Sequence, residues 1–289
     1  MYLLLALSIV AAAFNSVVLH RARLDGCGAV FRYNGISAAV WCVLLFVSNG
    51  FTLRVDGGVL LWGAVYGVTQ TLFILSKTLA MNSGPVSVTT LIGNCSMVIS
   101  VIACFIIWGE PATGPDVLGL AVLLAGILLT TYKKSGGEFR RGWKYFCALF
   151  FVCAAGVGLI FKGFSKSGGE RAGDMMLVSA IVMLLCYSAI CLVLRARTKK
   201  EKDETVKGGS LRVFFLLAVL SGLLSCVYNR LNVYLSGALD GVIFFPSFNG
   251  GVVILSTLLG VLLLGERPKK RQLLGIFLGV VGICIIGIF

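Results

Sequence analysis

The sequence predicts an all-α integral membrane protein of ten transmembrane helices, arranged as two inverted five-helix repeats. Three observations carry this. Apolar residues come in runs of roughly 18–22 separated by short polar patches, the length that crosses a bilayer. Only 13% of the residues are charged and 58% are hydrophobic, with a mean hydropathy of +0.98; soluble domains carry about 25% charged residues. And one signature occurs twice: Gly109-Glu110 closes one apolar run and Gly265-Glu266 closes another. Leu79/Leu235, Val86/Val242, Ser100/Ser256, Leu118-Gly119/Leu274-Gly275, Gly126/Gly282 and Ile127/Ile283 repeat at the same spacing.

The helices are expected over 2–19, 34–53, 58–80, 86–108, 115–132, 143–161, 174–194, 213–235, 242–264 and 272–289. The first run lacks the basic start of a cleaved leader. It also aligns with the start of the second half through Ala6/Ala148, Leu7/Leu149, Val10/Val152, Ala12/Ala154 and Gly26/Gly168. It is therefore read as a helix of the mature chain. Residues 1–133 form the first repeat, 134–141 a cytoplasmic linker and 142–289 the second repeat.

Charge sets the orientation. Of 25 Lys and Arg, four (Arg54, Lys162, Lys166, Arg171) fall in even-numbered loops. Two more, Lys77 and Arg230, fall inside helices, and the rest flank odd-numbered loops. Basic residues stay cytoplasmic, so loops 1, 5, 7 and 9 are expected in the cytoplasm and both termini outside, in the plasma (cytoplasmic) membrane. Five helices per repeat is odd, so the halves must point in opposite directions. The loop after Glu110 has no basic residue, whereas its counterpart carries Arg267, Lys269, Lys270 and Arg271.

Several functions are disfavoured. The formal charge of +13 lies between apolar runs rather than in a stripe with aromatics, so nucleic acid is not a partner. Ten cysteines without any C-x-x-C, mostly inside apolar runs, read as small buried hydrophobes; no metal and no cofactor is expected. One histidine, His20, and no mid-span acid leave no cluster for metal-dependent chemistry, so the protein is not read as an enzyme. No Walker A motif is present. A carrier driven by an ion or substrate gradient is the first reading; a passive pore or a membrane receptor on the same fold is the alternative. A coupling ion, and a monomer or a homodimer, are compatible with the sequence.

The chain resembles the ten-helix EamA-type transporters of the drug/metabolite transporter superfamily. The stretches that carry the resemblance run from Ala80-Met81-Asn82-Ser83-Gly84-Pro85 through Trp108-Gly109-Glu110, and from Phe244-Phe245-Pro246-Ser247-Phe248-Asn249 through Gly265-Glu266-Arg267. The resemblance implies helices 1–4 and 6–9 around a central cavity, helices 5 and 10 outside it, and transport of small organic molecules. Relatives often carry a proline in the middle of helix 4; this chain has Asn94 there.

Polar side chains in a bilayer core usually face the bundle interior or a water-filled cavity, and helical spacing gathers them on one face. Tyr66, Gln70 and Lys77 share a face of helix 3. Tyr228, Asn229 and Asn232 share one on helix 8, and Asn249 lies one turn past the kink-competent Pro246 on helix 9. Asn94 on helix 4, Asn15 on helix 1 and Trp41 on helix 2 complete the candidate substrate-binding set. Ser and Thr on the same faces serve equally as interhelical glue. Helices 5 and 10 are nearly free of polar residues, and Gly275-x-x-x-Gly279 suits close helix contact. A cation at the bilayer centre costs about 2.5–3.5 kcal/mol, so Lys77 and Arg230 either face the cavity or snorkel to an interface. With no mid-span carboxylate, the substrate is expected to be anionic, zwitterionic or neutral. Gly109, Glu110, Pro246, Gly265 and Glu266 are read as structural or hinge elements. A carboxylate at a helix C-terminus opposes the macrodipole, so each Glu needs a donor from another element.

Overall fold

The computed structural model describes residues 1–22, 24, 26–84, 86–111, 113–131, 142–169, 171–197, 211–264 and 269–288. The linker 134–141 and the pair Gly265-Glu266 lie outside the described residues.

Ten helices follow in order: α1 (Tyr2–Ala22), α2 (Gly26–Ser48), α3 (Gly57–Ser83), α4 (Val86–Trp108), α5 (Gly114–Thr131), α6 (Trp143–Lys166), α7 (Ala172–Arg197), α8 (Leu211–Ala238), α9 (Gly241–Leu264) and α10 (Lys270–Ile288). Among the described residues, α1 to α9 are long and apolar enough to cross a membrane. The ten predicted helices are all present, but several run past their apolar stretches. Helix α2 starts at Gly26 rather than 34, because Phe31 and Tyr33 are both fully buried, packed into different core clusters, while Arg32 between them is exposed. Helix α6 continues past 161 to Lys166. Lys162 and Lys166 therefore belong to a helix, not to a loop.

Local chemistry fixes the helix ends. Asp56 caps α3 by accepting from the Val59 N–H at 2.7 Å, as an N-cap carboxylate does, and is ion-paired with Arg171 beside α7. Asp116 accepts from the Thr113 N–H at 2.8 Å at the start of α5. At the end of α4, Gly109 takes a left-handed φ of 62°, a conformation glycine adopts without strain.

Helices α5 and α10 lie face to face along their lengths. The contact is backbone on backbone: a Cβ on Gly126 would stand 2.6 Å from the Gly279 nitrogen, and one on Gly282 would stand 2.7 Å from the Leu123 nitrogen. The remaining eight helices interlock across the two halves. Helix α1 packs on α8 and α9, α3 on α6 and α7, α2 on α7 and α8, and α4 on α6 and α9. Swapping halves maps α3 on α6 onto α8 on α1, and α4 on α6 onto α9 on α1. One pairing breaks the pattern: α6 packs against α8, whereas α1 and α3 scarcely touch.

Candidate functional site: a central polar cavity

A cavity of about 250 Å³ lies at the middle of the bundle, between α3, α4, α6, α8 and α9. Gln70 and Lys77 reach it from α3, Thr90, Asn94, Ser96 and Ser100 from α4, Tyr228, Asn229 and Asn232 from α8, and Asn249 from α9. Its apolar wall is largely aromatic: Phe73, Phe150, Phe161, Phe244, Phe245 and Phe248. The Phe244 and Phe248 rings stack at 6.0 Å, and Phe248 lies 6.3 Å from Tyr228. Helical spacing on α9 explains the cluster, since positions four apart share a face. Pro246, inside that helix, donates no backbone hydrogen bond, which loosens the helix beside the rings.

The carboxamides are held differently. Asn229 is fixed at both ends: its Oδ1 accepts from the Tyr66 hydroxyl at 3.2 Å and its Nδ2 donates to the Ser225 carbonyl at 2.8 Å. Asn232 accepts from Ser8 on α1 at 2.7 Å. Asn249 donates to the Phe245 carbonyl at 2.9 Å. Among the described residues, Gln70 and Asn94 make no side-chain hydrogen bond, and Gln70 Oε1 is buried from solvent as well. Buried acceptors without partners are rare and call for an explanation; an open cavity between them supplies one.

Of the ten candidate binding residues, seven line this cavity: Gln70, Lys77, Asn94, Tyr228, Asn229, Asn232 and Asn249. Three sit behind its wall. Tyr66 is fully buried and orients Asn229. Trp41 donates from its indole to Ser225 at 2.8 Å, tying α2 to α8. Asn15 accepts from Ser221 at 2.6 Å, tying α1 to α8. The two helix cations separate. Lys77 faces the cavity with its ammonium 5.8 Å from the centre of the Phe73 ring, and no carboxylate lies within ion-pair distance of it among the described residues. Arg230 is exposed and donates to Ser48 at the end of α2, at 2.5 Å.

A third cation lies inside the bundle, in a stretch that the apolar pattern assigns to a loop. Lys162 in α6 is completely buried and ion-paired with Glu110, itself only 5% exposed. Its ammonium also donates to the Leu239 carbonyl at 3.2 Å, and Lys166 stands 3.8 Å from the same carboxylate. The second Glu110 oxygen accepts the Gly241 N–H at 2.6 Å, at the positive end of α9. The donor that Glu110 needed thus comes from the other half. Gly109 makes the turn that sends it there. The signal for Lys162 was available: Phe161 and Phe164 continue the apolar pattern on either side of it.

Among the described residues, no group of three or more His, Cys, Asp or Glu is placed to hold a metal, and all ten cysteines are free.

The family model of the EamA-like transporters matches residues 143–288. The chain belongs to the EamA-like transporter family. A protein of Bacillus anthracis described as a "probable glucose uptake protein" is 26% identical over 309 aligned positions, covering 98% of this chain and 96% of its own. An uncharacterized protein of Haemophilus influenzae is 26% identical over 184 positions, covering 63% of this chain and 59% of its own. One solved crystal structure shares the fold, with a TM-score of 0.76 at 14% identity over 99% of this chain and 97% of that one. The chain is accordingly a multi-pass membrane protein of a transporter family for small metabolites.

Proposed function

We propose that the protein is a gradient-driven carrier for a monosaccharide-sized polyhydroxy metabolite, working by alternating access at the central cavity. The observation that carries this is the lining: five carboxamides (Gln70, Asn94, Asn229, Asn232, Asn249) opposite an aromatic wall, with no carboxylate. Carboxamides donate and accept at once, which suits hydroxyl groups. Ring faces suit the C–H surface of a sugar. The volume of about 250 Å³ falls below the roughly 300–1,000 Å³ of drug-sized sites, which favours a small solute. Lys77 adds three donors and a positive potential that disfavours cations. The relative described as a glucose uptake protein supports the same class.

The two halves act as inverted repeats in this proposal, supported by the pairing pattern that maps onto itself when they are exchanged. The exception supports one state of the cycle. On the even-loop face, α6 and α8 are joined by the Ser165 hydroxyl on the Val233 carbonyl at 2.9 Å and by Lys162 on the Leu239 carbonyl. Glu110 fastens α4 to both α6 and α9 there. The equivalent α1–α3 contact on the odd-loop face is scarcely made among the described residues, which supports access to the cavity from that side, past Lys77 and Thr90. The excess of Lys and Arg in the odd-numbered loops supports a cytoplasmic location for that side. The opposite state parts α6 from α8 and brings α1 to α3.

The experiment is sugar transport by purified protein in liposomes. Saturable uptake of a labelled hexose, accelerated by unlabelled hexose on the opposite side, supports a carrier. Uptake linear in concentration and without counterflow identifies a pore instead. No hexose uptake above empty liposomes overturns the substrate class.

A further inference from the structure

We propose that the central cavity takes an acidic sugar, its carboxylate held by the Lys77 ammonium, an assignment that rests on the polyhydroxy reading of the same cavity and narrows it. The helices around the cavity, α3, α4, α6, α8 and α9, contain no Asp or Glu anywhere along their lengths. The Lys and Arg on them are Lys77, Lys144, Lys162, Lys166, Arg212 and Arg230. Of these, only Lys77 lines the cavity. The fold treats its interior cations differently. Lys162 is neutralised by Glu110, and Arg230 turns outward to Ser48. Lys77, half-buried, makes no hydrogen bond and no ion pair among the described residues.

Position decides which part of a substrate the ammonium meets. Lys77 follows Gln70 by two turns on the same face of α3, about 10 Å along the axis at about 1.5 Å per residue. The lysine leans back into the cavity: its ammonium stands 5.8 Å from the centre of the Phe73 ring, one turn nearer the helix start, the direction in which helical side chains tilt. Two opposite demands therefore meet across one small gap. Gln70 Oε1 is a buried acceptor without a donor, and the ammonium is a triple donor without an acceptor. A charge taken from water without a partner is costly. One molecule meets both demands, with hydroxyl groups toward Gln70 and Asn94 and a carboxylate toward Lys77. A hexuronate has this form: a carboxylate at one end of its ring and hydroxyls around the rest. One ammonium balances one negative charge, which matches a carboxylate and falls short of a phosphate monoester, with its charge of about −1.5 to −2.

Glucuronate, glucose and glucosamine share one ring and differ in charge: negative, neutral and positive at neutral pH. The test measures the binding of each to the purified full-length protein in neutral detergent by titration calorimetry. Charge-assisted hydrogen bonds are roughly twice as strong as neutral ones, so glucuronate is expected to bind about tenfold more tightly than glucose, and glucosamine more weakly than either. Lys77→Gln should bring the ratio of glucuronate to glucose affinity close to one, and Lys77→Arg should keep most of the preference. Arg230→Gln should leave the ratio unchanged. Because the ratio is taken within each variant, partial loss of folded protein does not alter it. Glucose bound as tightly as glucuronate, or a preference that survives Lys77→Gln, overturns the carboxylate contact and leaves the polyhydroxy reading standing. Glucose 6-phosphate bound more tightly than glucuronate overturns it as well. Binding of none of these sugars overturns the polyhydroxy reading itself, and the acidic-sugar assignment falls with it.

Discussion

Lys162 and Glu110 are ion-paired in the interior, joining the last turns of α6 to the end of α4. Breaking one side of a buried pair is costly, about 3–5 kcal/mol, because it strands the other charge, whereas replacing both by apolar residues is often close to neutral. Lys162→Met alone should therefore lower the melting temperature strongly. Glu110→Leu/Lys162→Met should recover much of the loss. A double substitution as damaging as the sum of the singles contradicts the pairing.

The same double substitution tests the closure of the even-loop face. Cys104 is fully buried beneath the pair, close to Gly241 and Glu110. In the intact protein it should resist a membrane-impermeant maleimide. In the doubly substituted protein it should become reactive, with mass spectrometry locating the label. Continued protection of Cys104 would show that other contacts hold this face shut.

Gln70 and Asn94 should affect transport more than folding. Neither side chain is bonded within the protein among the described residues, so Gln70→Leu or Asn94→Leu removes a neutral hydrogen bond to substrate, about 0.5–1.5 kcal/mol. That raises KM roughly two- to tenfold with the melting temperature unchanged. Asn229→Leu differs: it strands the buried Tyr66 hydroxyl, at about 1–3 kcal/mol. It should lower stability as well as transport.

Lys77 makes the sharper prediction. A bond to a charged donor is worth about 1.5–3 kcal/mol, so Lys77→Met should raise KM roughly ten- to a hundredfold. Arg230→Met, directed away from the cavity toward Ser48, should leave KM unchanged. Equal effects from both would remove Lys77 from the substrate site.

The glycine seam between α5 and α10 should govern assembly rather than transport. Gly126→Leu drives a side chain into the Gly279 backbone. Overpacking costs about 1–3 kcal/mol, and more where backbone is struck. Leu128→Ala, 48% exposed on the same helix, should leave the melting temperature unchanged.

Most of the fold was legible because a bilayer leaves the chain few choices. Apolar run length identifies the spans, and amides on one helical face identify the cavity side, which is why Gln70, Asn94 and Asn249 were found. Three things were hidden. Periodicity assigns a residue to an inner face but does not tell cavity from contact between helices, so Asn15, Trp41 and Tyr66 were grouped with residues they merely support. Apolar runs understate helix length, because a helix continues into polar sequence while its inner face still packs; that concealed Lys162. The aromatic wall of the cavity was invisible because Phe244, Phe245 and Phe248 look the same in sequence whether they face lipid or substrate.

The cavity is proposed to carry sugar across the membrane through these carboxamides. The most direct measurement is labelled-hexose counterflow in proteoliposomes, comparing the wild type with Gln70→Leu/Asn94→Leu at equal protein insertion. The wild type should show saturable, counterflow-stimulated uptake, and the doubly substituted protein a KM raised about tenfold or more. Identical KM values in the two proteins, or no hexose counterflow by the wild type, would contradict it.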